Sequence, residues 1–529
     1  MKSSYVALVL AALAGSSAAA QQRPKLVVLI TVDQLRPDYL DRWKGQLTGG
    51  FGRLATEGAF FTQAYQDHAV TETAPGHATV LSGRWPAHTG ILRNDVGVQD
   101  SLAPLVDVRG PGASPLRFQG TEFFDWLKAA QPQARALSVS RKDRGAILPI
   151  GRAKEQVYWY AGGIFTTSRY YADTLPAWVK RFNAQRIPFR AVGAVWRPLL
   201  ADSAYQEVDD EPWEQAPSTF GRAFPHTMPA DSLRAAGAYA ATPWMDSLSL
   251  AFALAGAQEL KLGRRGVTDL LAVSLSSTDA IGHAYGPDSR ELHDQVVRVD
   301  RYVGWFLDRL GAMVGRNDLL VVLTSDHGVT PYPAFTRAHG RPDVHGVEID
   351  SLLRGFNSEI GARLGDTSRT AWLLFDSGML LLLDNGRLAA ARVPVDSVVT
   401  VIAKRLKQVP GVARVDRPAD LPSADTLQDA VARRWLHHIP ADGSVSLVVT
   451  LQDLFVWGNE TYAMHGQPSD LDAHVPILFM GKGIKPGRYT QRAATVDIAP
   501  TLAEMLRLSP FSLLDGRVLR EALANGAGR

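Results

Sequence analysis

The chain has 529 residues, 46 % of them hydrophobic and 21 % charged, the proportions of a globular protein long enough for roughly three units and a large core. Lysine and arginine (56) nearly balance aspartate and glutamate (53), and a net charge of +3 is too even to argue for a nucleic-acid surface or an anionic membrane. Cysteine is absent, which excludes disulfides, thiol catalysis and a lipid-modified cysteine.

Residues 1–20 read as a secretory signal peptide. Lys2 supplies the positive start, 6–14 a short apolar run, and Ser17-Ala18-Ala19-Ala20 the small residues before a cut near Ala20. The run falls short of the ~20 residues that span a bilayer. No comparable run follows, so the expected mature protein, 21–529, is free of the membrane and periplasmic. Residues 25–32 (KLVVLITV) form a continuous apolar run, the pattern of a strand buried on both faces of a parallel sheet, and it ends at Asp33. Alone, Asp33 reads as a helix cap; at the end of a first strand it lies where open α/β sheets bind ligands. Residues 58–65 (GAFFTQAY) form a second strand leading into 70–90 (VTETAPGHATVLSGRWPAHTG). There the pattern predicts a short helix from just after Thr73 to Gly83. A hydroxyl at a helix N-terminus sits among unpaired N–H groups and the positive end of the dipole, which suits phosphate. Asn94 follows in what alone is an ordinary turn. Residues 136–140 (ALSVS) are strand-like and deliver Arg141-Lys142-Asp143-Arg144, either a solvated loop or an anion clamp.

Residues 151–235 are rich in aromatics and turns and read as an inserted cap over the site. After a helix near 247–260, the strand 269–276 (DLLAVSLS) delivers Asp279 and His283, one helical turn apart and able to share a metal ion. Residues 289–315 carry the clearest helical stripe, Leu292, Val296, Val299, Val303, Phe306, Leu310 and Met313, read as core. The strand 318–324 (DLLVVLT) ends at Asp326-His327, an adjacent pair that suits a metal. Residues 329–460 interrupt the pattern again, with a small α+β subdomain around 379–415; His339 and His345 there read as loop histidines. The core resumes at His465, takes its final buried strand from 475–480 (VPILFM) and continues with a helix capped by Asp497.

Four apolar strands thus place Asp33, Lys142 with Arg144, Asp279 with His283, and Asp326 with His327 at their C-terminal ends. Asp and His together suit Zn²⁺, and two zinc ions ~3.5–4 Å apart are a recurring device for displacement at phosphorus. The motifs LITVDQLRPDYL, TETAPGHATVLSG, LRND, SRKDRG, SSTDAIGHAYGP, LTSDHG, MHGQ, DAHVPILFMG and TVDIAPTLAEML, in this order, make the sequence resemble the alkaline phosphatase superfamily. Within it the chain resembles the type I phosphodiesterase/nucleotide pyrophosphatase branch, and there the PafA type of bacterial alkaline phosphatase with a threonine nucleophile. The resemblance implies an α/β, three-layer sandwich with a central, mostly parallel sheet and inserted caps. It further implies Thr73 as nucleophile, one zinc on Asp279, His283 and His465, and another on Asp33, Asp326 and His327 beside the Thr73 oxygen. His465 is preferred to the nearby His474 because of its HG dipeptide. Asn94, Lys142 and Arg144 match the positions that hold the phosphate oxygens.

Lys142 and Arg144 reward the two charges of a phosphate monoester, whereas a diester carries one charge and a second organic group. The expectation is therefore an alkaline phosphatase acting on small phosphate monoesters. The alternatives are a nucleotide pyrophosphatase/phosphodiesterase of the same superfamily and, outside enzymes, a zinc-dependent binding protein. Sulfatase chemistry lacks its Cys- or Ser-derived aldehyde, since Thr73-Ala74-Pro75-Gly76-His77 offers neither residue.

Overall fold

Seven consecutive apolar or β-branched residues, Leu26–Val32 (β1), are stable only in a sheet covered on both sides, and every one of them is buried. The computed structural model describes residues 23–215, 219–366, 371–458 and 460–524; the expected signal peptide, 1–20, lies outside them. Around β1 the described residues form a ten-stranded sheet. The strands are β2 (Ala59–Tyr65), β3 (Ala136–Ser140), β4 (Gln156–Ala161), β5 (Ile164–Thr166), β6 (Asp269–Leu275), β7 (Leu319–Thr324), β8 (His474–Gly481), β9 (Gly487–Tyr489) and β10 (Ala493–Ala494). Their order is β9-β2-β8-β7-β1-β6-β3-β4-β5, with β10 also on β2. The pairs from β7 through β1, β6 and β3 to β4 are parallel, and β8 runs antiparallel between β7 and β2.

Side-chain alternation along β1 divides the core into two layers. Val28, Ile30 and Val32 pack with Val296, Val299, Val303 and Phe306 of the helix Arg290–Val314. Val27 and Leu29 pack on the other face with Ala78 and Leu81 of α1 (Thr73–Ser82) and with Ile498 and Leu502. Each such fully buried side chain contributes about 1.5–3 kcal/mol of transfer free energy, so the sandwich is a rigid platform. The stripe expected between 289 and 315 is this core face; its N-cap is Ser289, whose hydroxyl accepts the Leu292 N–H at 3.1 Å.

Two local expectations differ from the structure and one needs only an addition. The stretch 151–235 begins inside the central sheet, because its aromatic run is β4 and β5; only the remainder runs outside the sheet. Residues 475–480 lie in β8 as the expected final long buried strand; the short β9, largely exposed, and the two-residue β10 follow it. Asp497 precedes its helix without capping it, and its carboxylate instead accepts N–H groups of Ala494 and Arg517, both at 2.8 Å.

Within 329–460, the strands Leu373–Asp376, Met379–Leu382, Leu447–Leu451 and Val412–Asp416 form an antiparallel sheet, in that order. It has its own core, which includes Phe356, Trp372, Leu380, Ile402 and Leu447. The helix Ala430–His438 docks this subdomain on the main body, with Trp435 buried and His437 stacked on Trp85 at 4.3 Å. Among the described residues no helix is long and apolar enough to cross a membrane.

Candidate active site

The parallel strands end at one edge, and the predicted residues meet there. Asp33 follows β1 and is held by its backbone N–H to Leu275 O at 2.9 Å. Asp279 and His283 lie on α2, defined here as Ser277–Tyr285, with Oδ1 and Nε2 3.2 Å apart. Asp326 and His327 follow β7; His465 comes in from a loop and stacks on His327 with ring centroids 3.6 Å apart. Thr73 opens α1 and is 1 % exposed. Gly76 allows this geometry, because a Cβ there would collide with the Asp326 backbone oxygen.

Lys142 Nζ sits at the centre of the group, 2.7 Å from Asp33 Oδ2, 2.8 Å from Asp279 Oδ2 and 3.1 Å from Thr73 Oγ1. Burial raises the Asp33 and Asp279 carboxyls, but Lys142, with His327 and His283 beside it, reverses the effect and holds both below the usual carboxylate range. Burial works against charge on His327 as well, yet Asp326 and Asp33 push it up to about 9. His465 goes the other way, lowered well below its ordinary value by burial and then by His327 and His283.

Two trios of donor atoms converge within 4.8 Å of one another, Asp279 with His283 and His465, and Asp33 with Asp279 and His327. The first trio matches the expected set. In the second, Asp279 stands where Asp326 was expected; Asp326 Oδ1 accepts the Gln34 N–H at 3.2 Å and Oδ2 lies 3.2 Å from His77 Nδ1. Asp326 Oδ2 is still only 3.6 Å from His327 Nε2, and Asp33 Oδ1 3.3 Å from it. All three of those atoms are buried without a hydrogen bond. The histidines are oriented alike: Nδ1 of His283, His327 and His465 faces the carbonyls of Ala463, Gly328 and Thr71 at 2.6, 2.9 and 2.8 Å. A carbonyl only accepts, so each Nδ1 carries a proton, and in the neutral ring each Nε2 turns a lone pair into the site. Backbone-oriented imidazoles and crowded carboxylates around a central ammonium form a donor set able to hold a metal ion. His474 is elsewhere, with Nε2 2.8 Å from Thr62 O and its ring stacked on Tyr65. His339 and His345 lie in surface turns near Phe335 and Phe455.

Asn94 Oδ1 accepts the Ala74 N–H at 2.9 Å, which leaves the amide NH₂ of Asn94 for another acceptor beside Thr73. This bond also corrects an expectation. The start of α1 offers few free N–H groups, because that of Ala74 is taken, Pro75 has none and that of Gly76 bonds Glu72 O at 3.0 Å. Arg144 lies in the first turn of the helix Asp143–Ile147, packed against α1; its guanidinium is 3.6 Å from Asp143 and its Nε has no hydrogen-bond partner among the described residues.

Sequence reading missed three supporting residues. Glu72 accepts the Asn94 backbone N–H at 2.7 Å and the Ser377 hydroxyl at 2.6 Å, and burial raises its carboxyl. His77, one turn beyond Thr73, bridges Thr73 O at 2.9 Å and Ser274 Oγ at 3.0 Å; that i, i+4 spacing was the available signal. Gln34, at φ 66°, reaches Asp279 Oδ1 at 3.3 Å through Nε2, a contact with no signature in sequence.

Known proteins share this arrangement of chain. The profile of the type I phosphodiesterase / nucleotide pyrophosphatase family matches residues 27–416. Alkaline phosphatase PhoV of Synechococcus elongatus is 32 % identical, over 95 % of this chain and 93 % of its own. Alkaline phosphatase PafA of Elizabethkingia meningoseptica is 30 % identical over 95 % of each chain. The crystal structure of wild-type alkaline phosphatase PafA superposes with a TM-score of 0.85 and 28 % identity, covering 95 % of this chain and 99 % of that one.

Proposed function

The chain belongs to the type I phosphodiesterase / nucleotide pyrophosphatase family and is a phosphoric ester hydrolase, a phosphatase of the alkaline phosphatase superfamily, and from that premise we propose that it hydrolyses phosphate monoesters through a phosphothreonine on Thr73. The observation that carries the reading is Lys142, whose ammonium lies 3.1 Å from the Thr73 hydroxyl and has its partners in the same acidic pocket.

Two divalent cations, zinc by donor type, would be held by Asp279, His283 and His465 and by Asp33, Asp326 and His327; bound there, they supply a lowered pKa for the threonine hydroxyl and charge neutralisation for the departing oxygen. Thr73 Oγ attacks phosphorus, the P–O bond to the organic group breaks, and a threonine phosphate forms. Water then attacks that phosphorus, and the Thr73 oxygen leaves with inorganic phosphate as product. Lys142 moves from the carboxylates to the phosphate oxygens, Arg144 offers a planar fork, and the Asn94 amide donates from a loop that Glu72 fixes. Because α1 lends few N–H groups, these three side chains carry most of the anion recognition by the protein. Their charge suits a dianion better than a diester. The apolar and small-residue pattern of 1–20 supports a periplasmic location.

The test is p-nitrophenyl phosphate against bis-p-nitrophenyl phosphate, with and without chelator. The expected outcome is much faster hydrolysis of the monoester, loss of activity with EDTA, and a trapped phosphoenzyme that Thr73→Ala removes. Comparable rates on the two esters would favour the diesterase reading.

A further inference from the structure

His465 and Glu72 also close one end of a cleft of about 430 Å³ that the reaction at Thr73 does not use. From the phosphate side, the line of contacts runs from Lys142 to Asp279 (2.8 Å), then from Asp279 to His465 (3.7 Å), and the cleft begins there. The cleft thus adjoins the phosphate site across His465 and Glu72, the residue before Thr73, within reach of an organic group that extends past them. The far wall comes from the subdomain. The parallel ribbon of Gly346–Val347 and Val456–Trp457 presents Glu348 and Trp457, the strand Leu373–Asp376 presents Phe375, and the hairpin turn after it presents Ser377. Trp457 and Phe375 meet edge to face, with centroids 5.1 Å apart at 70°. Ser377 pins the turn to Glu72 at 2.6 Å, so the aromatic wall is tied to the residue before the nucleophile.

The charge of this wall is one-sided. Glu348 and Asp350 are exposed and have no ion-pair or hydrogen-bond partner through their side chains among the described residues. The nearby cations are already matched: Arg93 lies 2.7 Å from Asp95 and 2.8 Å from Asp376, and Arg337 lies 2.7 Å from Glu460. An aromatic face beside unpaired carboxylates attracts an organic cation and repels an anion.

We propose that this cleft receives the organic group of the phosphate ester and favours one that carries a positive charge, as in the phosphate of an amino or quaternary ammonium alcohol. This rests on the monoesterase reading and adds to it a substrate class. The charge pattern is then zwitterionic, with the phosphate toward Lys142 and Arg144 and the ammonium toward Trp457, Glu348 and Asp350.

The test compares phosphocholine with 3,3-dimethylbutyl phosphate, which has the same shape and no positive charge, with p-nitrophenyl phosphate as reference. The cationic ester is expected to have a kcat/KM roughly tenfold higher. Glu348→Gln with Asp350→Asn, and separately Trp457→Ala, should each shrink that ratio; a ratio within one preparation is insensitive to loss of folded protein. A ratio at or below one, or one unchanged in both variants, overturns the cleft assignment while hydrolysis of p-nitrophenyl phosphate leaves the monoesterase reading intact. No hydrolysis of any monoester by the zinc-loaded protein would sink both.

Discussion

Two of the places where the molecule buries carboxylates treat the charge in opposite ways. At the sheet edge, Asp33, Asp279 and Asp326 crowd together with one ammonium, that of Lys142, among them. At the subdomain interface the single carboxylate of Asp67 faces Arg433 at 2.8 Å, Arg492 at 2.7 Å, Arg434 at 3.4 Å and His437 at 3.7 Å. The carboxylates of both sites are almost fully buried. The second is complete within the chain and joins three segments, β2's exit, the helix Ala430–His438 and the loop before β10. The first is short of positive charge and keeps imidazole Nε2 atoms turned inward. A buried charge that the chain itself neutralises holds structure together, whereas one left under-neutralised is arranged for a ligand.

The sharpest break of that contrast is Asp279→Asn, because Asp279 contributes to both donor trios. Bound zinc should fall from two per chain to one or fewer, and turnover of p-nitrophenyl phosphate by on the order of 10³-fold or more. Elemental analysis and steady-state kinetics check both; two retained zinc ions would mean that the trios are not the ligand sets. Asp67→Asn should do the reverse. It leaves Arg434, 1 % exposed, with the more exposed Asp470 carboxylate at 2.6 Å as its remaining counter-charge, at a cost in denaturant unfolding below the about 3–5 kcal/mol of a buried charge left unpaired. Zinc content and turnover per folded molecule should not change. A comparable loss of zinc would show that the interface and the site are one charge network.

Lys142→Ala tests the central ammonium itself. The monoester kcat/KM should fall roughly 10²-fold, with a smaller loss on the diester. Zinc should bind at least as tightly as in the parent, since the ammonium shares Asp33 and Asp279 with any bound cation. Weaker binding would mean that Lys142 supports the metal centre instead of competing in it.

The first of these two centres was readable from sequence and the second was not, for a physical reason. Apolar runs such as 25–32 and 318–324 announce strands, and a polar residue just past each announces the sheet edge, so Asp33, Asp279, Asp326 and His327 could be placed together with no knowledge of packing. The layers of the fold followed from the same runs and from the stripe of the helix Arg290–Val314. Asp67, by contrast, is surrounded by arginines 366 and 425 residues away, and nothing local marks those partners. Glu72 and Gln34 were hidden similarly, since each acts through a backbone N–H or a side chain brought up by tertiary structure. The aromatic run at 157–160 was misassigned to an insertion because buried edge strands and cap segments have the same composition; only the pairing of Val157 with Ser138 and of Trp159 with Ser140 separates them.

The smallest expected effect separates the interface by pH. Burial lowers His438 from an ordinary 6.5 to about 3, with only the Leu92 carbonyl opposing it and Arg93 adding to it; the neighbouring His68, at 5.7 Å between centroids, is lowered too. The folded state therefore binds fewer protons here than the unfolded chain, so this contribution is complete above about pH 6.5 and is lost as pH falls toward 3. Asp67 is held at about 2 against an ordinary 3.8, since its arginines outweigh burial, and its contribution fades only between 3.8 and 2. The interface should then weaken in two steps, histidine first. Unfolding midpoints of the parent and His438→Phe, both with zinc supplied, should diverge in their pH dependence between 6.5 and 4, with the variant losing less stability as the solution is acidified. Asp67→Asn should keep the full histidine slope from a lower starting point. If His438→Phe follows the parent throughout, protons enter elsewhere and the buried imidazoles are bystanders to the docking of the subdomain.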